Sequence, residues 1–395
     1  MQRTFAALES RVFDVLVIGG GITGAGIARD AAMRGLSVAI VEKSDWASGT
    51  SSRSSRLIHG GIRYLEHGRI GMVRESVRER ETLLRIAPHL VKPLEFTWPV
   101  YRSARLPRWK LRAGLTIYDL LARGGTMRPH RSLDPDEVIQ REPCLRSKEL
   151  TGGAAYFDAT TDDVGLTRAN VTSAVEHGAV AVNYAKAEST TVSAGKVDGA
   201  LVSDQADALR ARVSARLLVS ATGPWQARGT KGSHISVSGE RVCNRGAVTM
   251  LSPVDGRVMF VLPSGRQTIV GTTDIFTGES PDDVRASEAE VSYLLAAANA
   301  YFPDAKLTEA DVIASWAGIR PLAAAPYGRN PSSISREHNI VRDSRGMITV
   351  TGGKLTTYRS MAAGVVDEVM RSLGRSPVAA TTHEHALPDI DGAVA

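Results

Sequence analysis

The chain lacks most of the features that would carry hydrolytic, metal-dependent or membrane-spanning chemistry. Its 395 residues include two cysteines, Cys144 and Cys243, with no metal-ligand spacing around them. They read as two half-buried thiols, and so few cysteines fit a reducing cytoplasm. No apolar run is long enough to span a bilayer. The opening residues, MQRTFAALESRV, lack the apolar core of a secretion signal. There is no Ser/His/Asp hydrolase elbow, no cluster of metal ligands and no P-loop lysine motif, so no metal site is expected. Aromatic residues make up only 5% of the chain. They do not interleave with its basic segments, and no nucleic-acid motif accompanies them, so nucleic acid is not an expected partner.

What is present is an ordinary globular composition, 43% apolar and 23% charged, with a net charge of +6. A chain of this length can bury a large core and is expected to divide into two domains. The positive excess sits in Arg-rich segments such as Arg69–Arg85, which reads as a solvated helix face, and Arg102–Arg112. The second lies in YRSARLPRWKLRAGL, where Arg and Lys mix with Trp109 and leucines. That mixture suits a peripheral contact with an anionic membrane surface, although a solvated face is the plainer reading. The expected location is the cytoplasm, with a contact at the inner face of the membrane as the variant. The oligomeric state is not legible.

The stretch Phe13–Glu42, FDVLVIGGGITGAGIARDAAMRGLSVAIVE, organises the rest. An apolar run from Phe13 to Ile18 suits a buried parallel strand. It breaks into Gly19-Gly20-Gly21-Ile22-Thr23-Gly24, which has the spacing Gly-x-Gly-x-x-Gly. Ile22, Ala25, Ile27, Ala28 and Ala31 follow at helical spacing, and a second apolar run ends on Glu42. Gly19 allows the tight turn, Gly21 lets backbone approach a pyrophosphate, and Gly24 lets helix and strand pack closely. The helix N-terminus offers unpaired N–H groups to the phosphates. Glu42 can accept both ribose hydroxyls and would repel a 2′-phosphate, so FAD or NAD is favoured over NADP.

Further along, a Ser-rich loop from Lys43 to Ser55 leads into Arg56-Leu57-Ile58-His59-Gly60-Gly61-Ile62-Arg63-Tyr64-Leu65-Glu66 and a charged helix to about Ile86. Pro93–Tyr101 and Val242–Val270 suit antiparallel strands. Asp163–Gly178 reads as a helix and Ala179–Tyr184 as the strand after it. Ala215–Ser220 reads as a central strand stopping at Ala221-Thr222-Gly223. Met347–Val350 is a short strand feeding Gly352-Gly353 and a helix over Lys354–Met370.

The stretch SSRLIHGGIRYLE beside the fingerprint resembles the FAD-dependent glycerol-3-phosphate dehydrogenase family. Glycine oxidase and D-amino-acid oxidase share its architecture more distantly. The resemblance continues at Phe157-Asp158, Thr161-Asp162-Asp163 and Ala221-Thr222-Gly223-Pro224-Trp225. It resumes at Lys231-Gly232-Ser233-His234, Gly271-Thr272-Thr273-Asp274 and Gly318-Ile319-Arg320-Pro321-Leu322, then at Ser335-Arg336 and Thr351–Arg359. It implies an α/β fold in which a Rossmann-type FAD-binding domain (10–90, 150–230 and 340–375) is interleaved with an antiparallel-sheet substrate domain of α+β type (91–149 and 231–339). The tail, 376–395, is small and Pro-containing, and is expected to be poorly ordered.

The resemblance also implies a site. Around FAD it places Gly19, Gly21, Ile22, Thr23 and Gly24, then Glu42 and Lys43. Next come Thr50, Ser51, Ser52 and Leu57, with His59, Gly60 and Gly61. Ala187 follows, then Ala221, Thr222, Gly223 and Trp225, then Gly318, and finally Gly353, Lys354, Leu355 and Thr356. Around a small phosphorylated substrate it places Arg320, Arg336, Lys354 and His234. Arg forks match phosphate oxygens and Lys adds a point charge. His234 is the first choice for proton acceptor, and His59 is the alternative or a hydrogen-bonding neighbour of the flavin ring. Arg320, Lys354, His234 and His59 are the expected catalytic set. The reaction implied is oxidation of sn-glycerol 3-phosphate, or a close analogue, to the ketone by hydride transfer to FAD N5. Reoxidation would be by quinone, another carrier or oxygen.

Two departures qualify this. The bacterial respiratory enzymes continue into a helical domain where this chain reaches Leu387-Pro388. Only five residues, Gln226–Thr230, separate Trp225 from Lys231, where the family has a longer segment. They leave open the electron acceptor, membrane docking and a phosphorylated substrate of a specialised pathway. An amine or hydroxy-acid oxidase is the rival enzyme, a redox-silent flavin protein the non-enzymatic one. A basic membrane- or RNA-binding module is the weakest reading.

Overall fold

Phe13–Ile18 is the centre of the first sheet because both its edges are taken. Val15–Ile18 runs parallel to Val38–Val41 on one side, and Phe13–Ile18 runs parallel to Ala215–Ser220 on the other. The computed structural model describes residues 5–122, 125–223, 229–320 and 338–390. Across this sheet the strand order is His338–Arg342, Ile348–Gly352, Arg210–Ser220, Phe13–Ile18, Val38–Val41 and Val180–Val182. Only the first of these pairings is antiparallel. Two further strands, Ala185–Ser193 and Lys196–Asp204, form an antiparallel ribbon attached to Arg210–Ser220.

Both faces of the parallel sheet are covered, as such sheets require. Helices α1 (Ile22–Met33), α5 (Asp163–Glu176) and α8 (Tyr358–Ser372) pack on one face around Val15, Val17, Ile27, Ala28, Val171 and Val365. Fully burying a side chain such as Ile27 contributes about 1.5–3 kcal/mol. The antiparallel ribbon covers the other face through Val197, Ala200 and Val202 against Leu16 and Leu218. α1 stops where its backbone turns left-handed at Gly35, φ +79°. The Gly35 amide bonds the Ala32 carbonyl and Leu36 bonds Ala31, which satisfies the last carbonyls.

Among the described residues the second sheet has ten strands and is antiparallel apart from one pair, Ala247–Leu251 beside Val91–Tyr101. The remaining α-helices among the described residues are α2 (Ile70–Ile86), α3 (Arg108–Leu121), α4 (Pro135–Arg141), the short α6 (Gly239–Val242) and α7 (Glu288–Tyr301). Capping boxes at Asp134–Glu137 and Ser287–Glu290 fix the starts of α4 and α7. Leu150–Thr161 pairs with Val91–Tyr101 along its length. It is therefore a strand of this second sheet. No helix among the described residues is long and apolar enough to cross a membrane.

Two expectations need correction. The tail through Ile390 is packed, not loose: Thr382 and Leu387 are buried. Arg29 donates to the carbonyls of Thr382 and His385, and the Leu387 amide donates to Ile86 O. Its apolar and backbone groups find partners on α1 and α2, which its composition could not reveal. The cysteines are not free thiols. Cys144 and Cys243 form a disulfide, Cα atoms 6.0 Å apart, that closes a sequence separation of 99 residues. Residues far apart in the chain meet there because the loop after α4 abuts the end of α6.

Candidate active site

The glycine turn is close-packed where the fingerprint requires it. Gly19 has φ +114°, and a Cβ there would lie 2.7 Å from Ala221 O; a Cβ on Gly24 would lie 1.9 Å from Gly19 O. Gly24 therefore serves the strand–helix contact and does not reach the cavity wall. At the start of α1 the Ile22 amide donates to Ser51 Oγ at 2.9 Å. A hydroxyl from the Ser-rich loop thus stands at the anion-seeking end of the helix. Glu42 accepts from the Gly20 amide at 2.7 Å and the Ser44 amide at 2.9 Å, one on each oxygen. A carboxylate has about four lone-pair sites, so both oxygens keep capacity for ribose hydroxyls.

These groups open onto one cavity of about 760 Å³ that runs between the two sheets. Gly19, Gly21, Ile22, Thr23, Glu42, Lys43, Thr50 and Ser51 line it, with Ala187, Ala221, Thr222 and Gly223. Leu57, His59, Gly61, Gly318, Gly353, Lys354, Leu355 and Thr356 line it as well, with His234 and Arg320. Ser52 instead bonds Gly49 O, and the Gly60 amide is directed into a buried cluster behind the wall. Trp225 and Arg336 lie outside the described residues, as do Pro224, Pro321, Leu322 and Ser335.

Two glycine turns meet at the cavity wall. Gly352 and Gly353 have φ +79° and +90°, and Gly61 has φ +75°. Thr356 ties them together, its Oγ1 accepting from the His59 amide at 3.2 Å and donating to the His59 carbonyl at 3.3 Å. The expected helix from Lys354 begins as a 3₁₀ turn, Leu355–Thr357, before α8 proper. Lys354 Nζ donates to Ser76 Oγ at 3.2 Å and sits 4.0 Å from the centre of the Tyr64 ring.

Arg320 ends the strand Val312–Arg320. Its Nη1 donates to Asp274 Oδ1 at 3.0 Å and Thr273 O at 3.1 Å, and its Nη2 to Thr272 Oγ1 at 2.8 Å. Opposite, Gly232 leaves room for the guanidinium, since a Cβ there would lie 2.1 Å from Arg320 Nη2. His234 is 2% exposed and stacks on Trp316 at 5.3 Å. Its Nε2 hydrogen-bonds Ser55 Oγ at 2.8 Å, while Nδ1 is buried without a partner. Burial, reinforced by Arg320 and Arg56, pushes the imidazole down to about 3, so it is neutral near pH 7. The His59 ring meets Phe260 edge-on at 6.4 Å.

Sequence reasoning missed several wall residues. Arg257 and Phe260 come from a strand and its approach that read only as antiparallel structure. Tyr64, Asp158 and Asp274 lay inside segments already singled out, yet nothing in one sequence separates a wall residue from its neighbours there.

The residues present fit FAD. The glycine cradle admits a close-lying pyrophosphate, Glu42 has ribose-binding capacity, and the same cavity is lined by the second glycine turn, Lys354 and Arg320. The model of the FAD dependent oxidoreductase family matches residues 14–359. A glycerol-3-phosphate dehydrogenase of Synechocystis sp. is 39% identical over 421 residues, covering 98% of this chain and 75% of that protein. The structure of the glycerol-3-phosphate dehydrogenase from Bacillus halodurans complexed with FAD superposes with a TM-score of 0.78 at 34% identity, covering 96% of this chain and 68% of that one. Glycine oxidase from Geobacillus kaustophilus shares the fold, with a TM-score of 0.66 at 20% identity over 95% and 98% of the two chains. The chain belongs to the FAD-dependent glycerol-3-phosphate dehydrogenase family, within the FAD dependent oxidoreductases.

Proposed function

We propose that the protein binds FAD in this cavity and oxidises sn-glycerol 3-phosphate, or a close phosphorylated alcohol, to the ketone. The observation that carries this is that Arg320, Lys354 and a neutral His234 line the same cavity as Glu42 and the glycine turn. Bound FAD would supply the two-electron acceptor for the carbinol carbon. Arg320 is pre-oriented by Thr272 and Asp274, so its fork meets phosphate oxygens without further ordering. Lys354 adds charge from the second glycine turn, and Arg336 completes the proposed clamp. His234 accepts the hydroxyl hydrogen bond. An anionic phosphate nearby favours its protonated form and raises its affinity for the proton.

Reoxidation by a quinone, another carrier or oxygen belongs to the same proposal. A peripheral contact at the inner membrane face is supported by α3. That helix exposes Trp109, Ile117 and Leu120 beside Arg108, Lys110 and Arg112.

The test is Arg320→Ala and Arg320→Lys, with phosphorylated and carboxylated substrates compared side by side. Loss of a charged hydrogen bond of about 1.5–3 kcal/mol should weaken apparent affinity for glycerol 3-phosphate roughly 10- to 150-fold in the alanine variant. The lysine variant should recover part of it. Unchanged affinity would remove Arg320 from the clamp, and preference for a carboxylated substrate would replace the proposed reaction with that of an amine or hydroxy-acid oxidase.

A further inference from the structure

Behind the His59–Gly61 turn lies a fully buried polar cluster that the proposed reaction does not use. Asp158, Arg80 and Tyr118 come from Leu150–Thr161, α2 and α3, and each is at most 3% exposed. Tyr118 Oη donates to Asp158 Oδ1 at 2.6 Å, and Arg80 Nη1 donates to the same oxygen at 2.6 Å. The Gly60 amide donates to Tyr118 Oη at 2.8 Å and to Asp158 Oδ1 at 3.2 Å. A Cβ on Gly60 would lie 2.3 Å from Tyr118 Oη and 2.5 Å from Val77 Cγ2, so the turn is pressed against α2 and α3.

Burial pushes the Tyr118 phenol well above its ordinary range, which keeps it a donor to Asp158 and an acceptor for Gly60. Burial likewise pushes the Asp158 carboxyl up, while Arg80, Tyr118 and the Gly60 amide pull it the other way. Arg80 Nε is buried without a partner, but Tyr118, Asp158 and the Gly60 amide are mutually bonded, and such a buried network fixes geometry more firmly than packing alone. Gly60 stands between His59 and Gly61, both on the cavity wall, and Asp158 itself reaches that wall.

We propose that Tyr118 is a positioning residue. Supported by Asp158 and Arg80, it holds the His59–Gly61 turn at the depth that sets flavin affinity and the rate of its reduction. This rests on the proposed function for the rate, and on cofactor binding alone for the rest.

The test is Tyr118→Phe, which removes a single oxygen, examined as holoenzyme beside Val77→Ala, which trims the apolar contact at the same glycine. Amide hydrogen exchange over residues 57–61, FAD dissociation constant, anaerobic reduction rate with sn-glycerol 3-phosphate and Tm are measured for each. Tyr118→Phe should speed exchange about tenfold, weaken FAD about fivefold and slow reduction about tenfold, with substrate affinity within about twofold. Val77→Ala should lower Tm and leave the reduction rate within about twofold. Unchanged exchange and FAD affinity in Tyr118→Phe would overturn the proposal, as would equal losses in both variants, which would mean packing alone. If wild-type enzyme is not reduced by this substrate, the reaction reading fails by itself, and exchange and FAD affinity still decide the role of Tyr118.

Discussion

The imidazole of His234 stacks on the Trp316 ring, hydrogen-bonds the Ser55 hydroxyl and is 2% exposed. Its affinity for a proton falls from the ordinary 6.5 to about 3 on folding. Between those values the unfolded chain binds more protons than the folded one. The contribution to stability is therefore complete above about pH 6.5 and is lost as pH falls toward 3. The slope is at most about 1.4 kcal/mol per pH unit. His234→Gln should flatten the decline in urea-unfolding stability between pH 6.5 and pH 4.5. An equally steep decline in the variant would assign that proton uptake to other groups. At the same scale, a methyl on Gly24 has nowhere to go, because Gly19 O occupies the space. Gly24→Ala should lose bound flavin on gel filtration, with affinity weaker by more than about a hundredfold if the chain still folds. Retention of stoichiometric flavin would mean that the turn can open without loss of its phosphate cradle.

At the level of elements, the tail and the disulfide carry testable weight. Leu387 sits among Ile22, Ile58, Leu83 and Tyr358. Leu387→Ala should cost about 2–3 kcal/mol by urea unfolding, within the usual range for a buried leucine. A loss under about 0.5 kcal/mol would return the tail to the loose segment its composition suggested. The Cys144–Cys243 bond closes a separation of 99 residues. Reduction or Cys144→Ser should destabilise by about 2–4 kcal/mol, and maleimide should label neither cysteine before reduction. Immediate labelling would restore the free-thiol reading.

The difference between what the sequence disclosed and what it did not follows from the range of the interactions. Phe13–Ile18, α1, Val38–Val41 and the turn at Gly352-Gly353 were legible because strand, turn and helix each follow from residues a few places apart. Arg320, His234 and Lys354 were legible through motifs, and the structure brings all three to one cavity. Arg257, Asp158, the cysteine pairing and the tail contacts were not, because each depends on which distant segment lies opposite. The pairing of Leu150–Thr161 with Val91–Tyr101, which makes it a strand of the second sheet, is of the same kind.

Over the whole molecule, one cavity is lined both by the glycine turn and Glu42 of the first sheet and by Arg320 and His234 of the second. On the outside, α3 presents an apolar face bordered by arginine and lysine. Vesicles containing anionic lipid should bind the protein in low salt and release it as ionic strength rises. Trp109→Ser should weaken that binding several-fold without changing flavin content. Binding indifferent to both would leave α3 a solvated helix. The most direct measurement is of the flavin itself. Purified protein, mixed anaerobically with sn-glycerol 3-phosphate, should lose its visible flavin absorbance rapidly and yield one equivalent of ketone. A yellow protein whose absorbance is unchanged by that substrate, yet bleaches with an amine or hydroxy acid, would contradict the account.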